Sequence, residues 1–126
     1  MQNLWRETVI KLESNDKSPE DVEWVGAEGY GRITIEEFKR IALHIEYDDG
    51  FGGQEIASDL VVVGKDFWLE RHEYDGSEWW AYKTLPKKPE PKEIKIFSVT
   101  QLEERDCWMT LENLEKAKEE EDNETI

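Results

Sequence analysis

The two histidines and their acidic neighbours are the residues of this chain that could act in acid–base chemistry or bind a metal ion. His44 is followed by Asp48 and Asp49, and His72 lies beside Glu73. Such groups could form a His/carboxylate metal site or an acid–base pair. No HExxH or CxxC spacing links them, however, and each histidine fits an ordinary position on a helix or strand. We therefore predict a protein without catalytic residues, metal or cofactor, and keep a metal-dependent enzyme as an alternative.

A glycine-rich acidic segment, DDGFGGQE at residues 48–55, is the most conspicuous irregular stretch. It has neither the lysine of a Walker motif nor a GxGxxG pattern between a strand and a helix, and its acidic start would repel phosphate. Its oxygen ligands, Asp48, Asp49 and Glu55, do not have the spacing of a calcium loop. The pattern favours a structural turn or a loop that contacts a partner through these residues and Phe51.

The charge of the chain restricts its partners. Thirty-one acidic residues against sixteen basic ones give a net charge of −15 over 126 residues. A surface of this sign repels nucleic acids and acidic membranes and attracts basic proteins. The alternative is that the charge serves solubility alone.

The compartment is predicted from cysteine use and from the N-terminus. Cys107 is the single cysteine, so an internal disulfide cannot form, which is typical of a reducing compartment. The first residues, MQNLWRETVIKLES, lack the basic patch and apolar stretch of a signal peptide. We therefore expect a cytoplasmic protein.

The centre of the fold is predicted to be an antiparallel meander over residues 60–85. Aromatic and β-branched residues cluster there between two turn signals, Gly64-Lys65-Asp66 and Asp75-Gly76. The predicted strands are residues 60–63, 67–74 and 79–85. Because side chains alternate across a strand, one face carries Trp68, Tyr74, Trp79, Ala81 and Leu85, and the other carries Phe67, Leu69, Trp80 and Tyr82.

Two registers are open for the hairpin that joins the last two strands. A loop of four residues places Glu70 opposite Lys83, whereas a loop of two residues places Glu73 opposite Glu78. Like charges directly opposite each other destabilise a sheet. The longer loop is therefore favoured.

Helices are predicted both before and after the meander along the chain. Residues 2–14 carry apolar side chains at helical spacing. Thr34 and Glu37 form a capping box, and an apolar stripe follows over a helix at residues 35–46. One or two further helices are expected after the proline-rich segment that begins at Pro86.

Two further segments, residues 22–25 and 94–99, alternate apolar and charged side chains and are predicted to extend the sheet. Residues 118–126 have no apolar periodicity and are predicted to be disordered. The expected fold class is α+β, with an antiparallel sheet packed against the central helix and with terminal helices. Residues 1–117 would form a single domain.

The adjacent pair Trp79-Trp80 must point to opposite faces of the sheet. Unless both faces are covered, one of the two rings remains at the surface, where tryptophan is a typical interface anchor. We predict that Trp80 is this anchor.

The run DGFGGQEIASDLVVVGKDFWLERHEYDGSEWWAYKTLPKKP, with the upstream DVEWVG, resembles small uncharacterised acidic proteins of bacteriophages and mobile elements of Gram-positive bacteria. The likeness covers roughly residues 21–89. It implies a genetic setting and no chemistry. Such elements often carry acidic inhibitors of host defence nucleases, some of which imitate DNA.

The leading hypothesis is therefore a non-enzymatic protein that binds a basic host protein. The partner would be the nucleic-acid-binding surface of a defence nuclease such as a CRISPR effector, as in an anti-CRISPR protein that acts by DNA mimicry. The alternative is a small accessory module whose acidity serves solubility. The predicted contacts are Asp48, Asp49, Phe51, Glu55, Asp59, Glu70, Glu73, Asp75 and Glu78, with Trp80 as the apolar anchor.

Overall fold

The computed structural model describes residues 1–50, 52–104 and 106–124. The chain divides into two compact units, Met1–Lys87 and Lys88–Ile126, which we call the first and second unit. The predicted division, one domain over residues 1–117 followed by a tail, does not coincide with this one. The elements in chain order are β1 (Gln2–Asn3), α1 (Leu4–Glu13), β2 (Val22–Ala27), β3 (Gly31–Ile33), α2 (Ile35–Ala42), β4 (Glu46–Tyr47), β5 (Val61–Gly64), β6 (Phe67–Tyr74), β7 (Ser77–Thr84) and α3 (Leu111–Glu124), with short 3₁₀ helices at Pro19–Asp21 and Val99–Gln101.

The first unit is built on a five-stranded antiparallel sheet with the order β3-β2-β5-β6-β7. The predicted meander corresponds to β5, β6 and β7, and the predicted strand at residues 22–25 lies within β2. The α+β fold class is therefore confirmed.

The favoured hairpin register was wrong. Tyr74 pairs with Ser77 and Glu73 pairs with Glu78, so the loop contains only Asp75 and Gly76. Both loop residues have positive φ, 50° and 86°, as the tight turn of a two-residue hairpin requires. The like-charge penalty is relieved because Glu78 is buried against a cation, while Glu73 remains exposed.

Both helices of the first unit pack on the same face of the sheet. The predicted alternation is confirmed on that face, where Phe67, Leu69 and Trp80 are buried in one core with α1 and α2. The indole Nε1 of Trp80 donates to the Thr8 hydroxyl at 2.9 Å, and that hydroxyl donates to the Leu4 carbonyl at 2.7 Å. The core also contains Leu12, Val22, Val25, Ile35, Phe38, Ala42, Tyr47 and Val62.

The central helix is shorter than predicted. The Thr34 hydroxyl accepts from the Glu37 N–H at 3.1 Å, as the capping box predicts, but α2 ends at Ala42. The following residues Glu46–Tyr47 pair with Gln2–Asn3 as β4 and β1. Pairing with the N-terminus buries the Tyr47 side chain, and this tertiary contact outweighs continued helix formation.

The second unit has its own small core, formed by Ile96, Leu102 and Leu114. The predicted edge strand at residues 94–99 is absent among the described residues, because Ile96 is buried in this core and Val99 begins a 3₁₀ helix. A C-terminal helix was predicted, and α3 extends over residues 118–124, for which disorder was expected.

The contact between Thr8 and Trp80 predicts the effect of Thr8→Val. Valine keeps the shape of the side chain but removes the acceptor, which leaves the buried indole N–H unsatisfied. We expect a loss of about 1–3 kcal/mol in the free energy of unfolding, measured by urea denaturation. Thr84→Val, at the exposed end of β7, is the control and should change stability by less than about 0.5 kcal/mol. Equal stabilities for the two variants would contradict this role of Thr8.

Candidate functional site

The loop at residues 48–55 is attached to the β6–β7 hairpin by hydrogen bonds. The Asp49 carbonyl accepts from the Glu78 N–H at 2.9 Å, and the Glu55 N–H donates to Glu78 Oε2 at 2.7 Å. Gln54 Nε2 donates to Glu73 Oε2 at 3.1 Å. The loop and the hairpin therefore form one surface, which we call the acidic end; its carboxylates belong to Asp48, Asp49, Glu55, Glu73 and Asp75.

The hairpin approaches the loop so closely that a glycine is needed at the tip. A Cβ on Gly76 would lie 3.3 Å from the Gly52 carbonyl oxygen. Gly76 also has a φ of +86°, which side chains disfavour. Space and backbone conformation thus both select glycine at the contact between loop and hairpin.

Carboxylates also organise the loop internally. Asp48 Oδ1 accepts from the Gly50 N–H at 3.1 Å, and Glu55 Oε2 accepts from the Asp48 N–H at 2.9 Å. Asp49 Oδ2 accepts from Gln2 Nε2 at 3.4 Å. Asp48 and Glu55 remain exposed while making these bonds, so their charge is presented to solvent on an ordered backbone.

A buried cation lies beneath the acidic end. The Arg71 guanidinium donates from Nη1 to Glu7 Oε1 at 2.9 Å and from Nη2 to Glu78 Oε1 at 2.7 Å. The side chains of Arg71 and Glu78 are only 4% and 3% exposed. Glu78 is thus shared: one carboxylate oxygen binds the cation, and the other accepts from the N–H of Glu55.

Tyr47 and Trp80 complete this network. Arg71 Nη2 donates to the Tyr47 hydroxyl at 3.1 Å, and that hydroxyl donates to Glu7. The guanidinium carbon lies 4.7 Å from the Trp80 ring centroid and 5.7 Å from that of Tyr47. Contacts of this kind with aromatic faces are favourable for a desolvated cation.

The network shifts two pKa values upward. Burial and the hydrogen bond to Glu7 raise the pKa of Tyr47 far above its usual range, although Arg71 opposes this. Burial disfavours the charged form of Arg71, but its bonds to Tyr47 and Glu78 and the charge of Glu7 outweigh that effect and raise its pKa. Both shifts favour the protonated forms, in which Tyr47 donates to Glu7 and Arg71 donates to Glu7, Tyr47 and Glu78.

The structure brings together half of the predicted contact residues and separates the others. Asp48, Asp49, Glu55, Glu73 and Asp75 meet at the acidic end. Glu78 is 4% exposed and supports this surface from beneath. Phe51 lies outside the described residues.

Trp80 was the wrong choice of surface anchor. It is 1% exposed because α1 covers its face of the sheet. Its neighbour Trp79 is 40% exposed and Tyr74 is 77% exposed, both on the opposite face. Alternation predicted that one tryptophan of the pair would be exposed, but only the packing of the helices decides which one.

The sheet face opposite the helices, which we call the outer face, carries the two remaining predicted residues. Glu70 accepts from Trp68 Nε1 at 2.7 Å and contacts His72 Nε2 at 2.9 Å. These hydrogen bonds, first that of Trp68 and then that of His72, lower the pKa of Glu70. Asp59 lies at the edge of the same face beside Val61.

The metal-dependent alternative finds no support in the described part of the chain, where no group of three His, Cys, Asp or Glu side chains could hold a metal ion. His44 lies in the turn after α2, and His72 lies on the outer face. None of the helices at residues 1–50, 52–104 and 106–124 is both long enough and apolar enough to cross a bilayer.

Comparison of the chain with protein-family models, with curated proteins and with solved structures finds no match.

The buried network predicts a large effect for Arg71→Leu, which leaves two buried carboxylates without a cation. We expect a loss of about 3–5 kcal/mol in the free energy of unfolding, measured by chemical denaturation. Arg32→Leu, an exposed site on β3, is the control and should change it by no more than about 0.5 kcal/mol.

A combined variant separates the loss of charge pairing from the loss of packing. Arg71→Met with Glu7→Leu, Glu78→Leu and Tyr47→Phe replaces the ionic group and the hydroxyl bonded to it by apolar side chains and should recover most of the stability. A fourfold variant as unstable as Arg71→Leu would show that packing around the guanidinium, and not unpaired charge, accounts for the loss.

The hydrogen bond from Trp68 to Glu70 predicts how the pKa of Glu70 changes when the donor is removed. Trp68→Phe removes the indole donor and should raise the pKa of Glu70 toward its usual value, as followed by carboxyl ¹³C NMR. Because the folded-state pKa is lowered, the pair stabilises the fold above the unfolded-state pKa, and that contribution disappears as the pH falls through the folded-state pKa. Trp24→Phe, which removes no bond to Glu70, is the control. An unchanged titration of Glu70 in Trp68→Phe would contradict this assignment.

Proposed function

We propose that the protein is a non-enzymatic interaction protein whose acidic end binds a basic protein surface. The observation that supports this most directly is the attachment of the loop to the hairpin through both the backbone and the carboxylate of Glu78. Five neighbouring carboxylates are thereby held on an ordered backbone before any partner binds. Less ordering is then needed on association, which favours affinity.

The charge of the whole chain supports the same proposal. At a net charge of −15, long-range attraction accelerates the approach of a basic partner and disfavours acidic ones. Binding of this kind weakens as salt is added.

The partner we propose is the basic nucleic-acid-binding surface of a host defence nuclease, such as a CRISPR effector. Exposed carboxylates on a rigid backbone could occupy positions that phosphates take in the nuclease complex. The resemblance of residues 21–89 to acidic proteins of Gram-positive bacteriophages supports this choice. The protein would then act in the cytoplasm of a bacterial host as an anti-CRISPR-like inhibitor.

The test is inhibition of DNA cleavage by a panel of purified RNA-guided nucleases from Gram-positive bacteria. We expect one of them to be inhibited at low salt, with inhibition relieved by salt or by excess non-cleavable DNA. Asp48→Asn, Asp49→Asn, Glu73→Gln and Asp75→Asn together should weaken inhibition by at least about tenfold, because the carboxylates that face the basic surface are lost.

The matched control neutralises four exposed carboxylates elsewhere in the first unit, Glu13, Glu20, Glu23 and Glu36, each to glutamine. Both variants change the net charge from −15 to −11, so only the position of the charge differs. Equal weakening by the two variants would show that overall charge, and not the acidic end, causes binding. The absence of inhibition across the panel would contradict the nuclease proposal.

A further inference from the structure

The outer face contains a groove of about 480 Å³ that neither α1 nor α2 covers, since both helices pack on the opposite face. Trp24 on β2 and Trp68 on β6 are neighbours of Val63 on β5 in one row across the sheet. The strand between them separates the two tryptophans by roughly 10 Å, since adjacent strands lie about 4.8 Å apart. Two indoles therefore flank a valine floor.

The next row of the sheet lengthens the groove. Gly26, Val61 and Glu70 are neighbours across β2, β5 and β6. The backbone of Gly31 occupies the space where a Cβ on Gly26 would lie, so in this row the floor of the groove is formed by Val61. Trp68 lines the side of the groove that β6 forms, and its indole Nε1 donates to the Glu70 carboxylate at 2.7 Å.

Two carboxylates stand at the groove, on Glu28 and Asp59. Both residues are exposed, and within the described residues neither side chain makes an ion pair or a hydrogen bond. No basic side chain is among the described residues that line the groove, which are Trp24, Glu28, Asp59, Val61, Val63 and Trp68. The groove thus offers aromatic walls, an apolar floor and two carboxylates; Lys83, which pairs with Trp68 on β7, does not line it.

We propose that this groove binds one arginine side chain of the basic partner. The aliphatic part of the arginine would lie on Val61 and Val63, its planar guanidinium would contact an indole face, and its charge would be balanced by Glu28 and Asp59. Arginine suits the site better than lysine because the guanidinium stacks on aromatic rings and is more weakly hydrated. The chain already uses this chemistry internally, where the Arg71 guanidinium lies 4.7 Å from the Trp80 ring centroid.

This inference rests on the proposed function for its partner, but it concerns a different surface from the acidic end. The acidic end supplies five carboxylates and broad attraction, whereas the groove would select a particular side chain. An apolar peptide would leave the two carboxylates uncompensated, and an anionic ligand would be repelled by them.

The experiment is an NMR titration of the full chain at low ionic strength with two blocked tripeptides, acetyl-Gly-Arg-Gly-amide and the same peptide with citrulline in place of arginine. Citrulline is nearly isosteric with arginine and uncharged. We expect saturable shifts of the indole Nε1–H signals of Trp24 and Trp68, with a Kd about tenfold lower for arginine. The signals of Trp5 and Trp108, which do not line the groove, serve as internal references.

The variant Glu28→Gln with Asp59→Asn should abolish the preference for arginine while the tryptophan shifts remain weak and similar for both peptides. Asp16→Asn with Glu36→Gln, two exposed carboxylates away from the groove, is the charge-matched control and should keep the preference. Equal affinities of the two peptides for the unmodified chain would overturn the proposal. Shifts restricted to the acidic end, or a preference unaffected by Glu28→Gln with Asp59→Asn, would also overturn it.

The outcomes separate this inference from the proposed function. Neutralising the acidic end should leave the arginine-dependent shifts of Trp24 and Trp68 intact. Nuclease inhibition that persists after this neutralisation, with these shifts retained, would refute only the role of the acidic end. Inhibition by the unmodified chain without any arginine preference in the groove would refute only the groove site.

Discussion

A buried guanidinium is the constraint on which the first unit depends. Removing Arg71 from water costs several kcal/mol unless its charge and donors are matched. The groups that match its charge and its two Nη nitrogens come from three separate elements: Glu7 on α1, Tyr47 on β4 and Glu78 on β7. The N-terminal helix, the strand after α2 and the edge of the sheet are thereby held in one arrangement, because a shift of any of them would leave a charge or hydroxyl unpaired.

This arrangement also explains why the two faces of the sheet differ. The inner face carries Trp80 and the ionic network beneath two helices, and the outer face keeps Trp24, Trp68 and Trp79 at least partly accessible. Glu78 connects the interior to the surface, since its second oxygen holds the backbone of the acidic loop. The first unit in this way presents ordered charge on one surface and aromatic side chains on another.

Local patterns predicted most of the strands and the start of α2, because alternation and capping depend on neighbouring residues. The hairpin register was predicted wrongly because the like-charge rule considers only Glu73 and Glu78. The cation that compensates the charge of Glu78 is Arg71, whose side chain the rule does not take into account. The positive φ of Asp75 and Gly76 shows that the Asp-Gly turn was the better local signal. The alternation of apolar and charged residues at 94–99 wrongly predicted a strand, because Ile96 is instead buried in the core of the second unit.

The most direct test of this account is backbone amide hydrogen exchange in the unmodified protein. The amides of Glu55 and Glu78 donate to the Glu78 carboxylate and to the Asp49 carbonyl, so the buried network should protect them. We predict that both exchange at least about tenfold more slowly than the amides of Gly52 and Gly53 in the same loop. Equal exchange at all four positions would show that the loop is not held by Glu78 and would contradict the account.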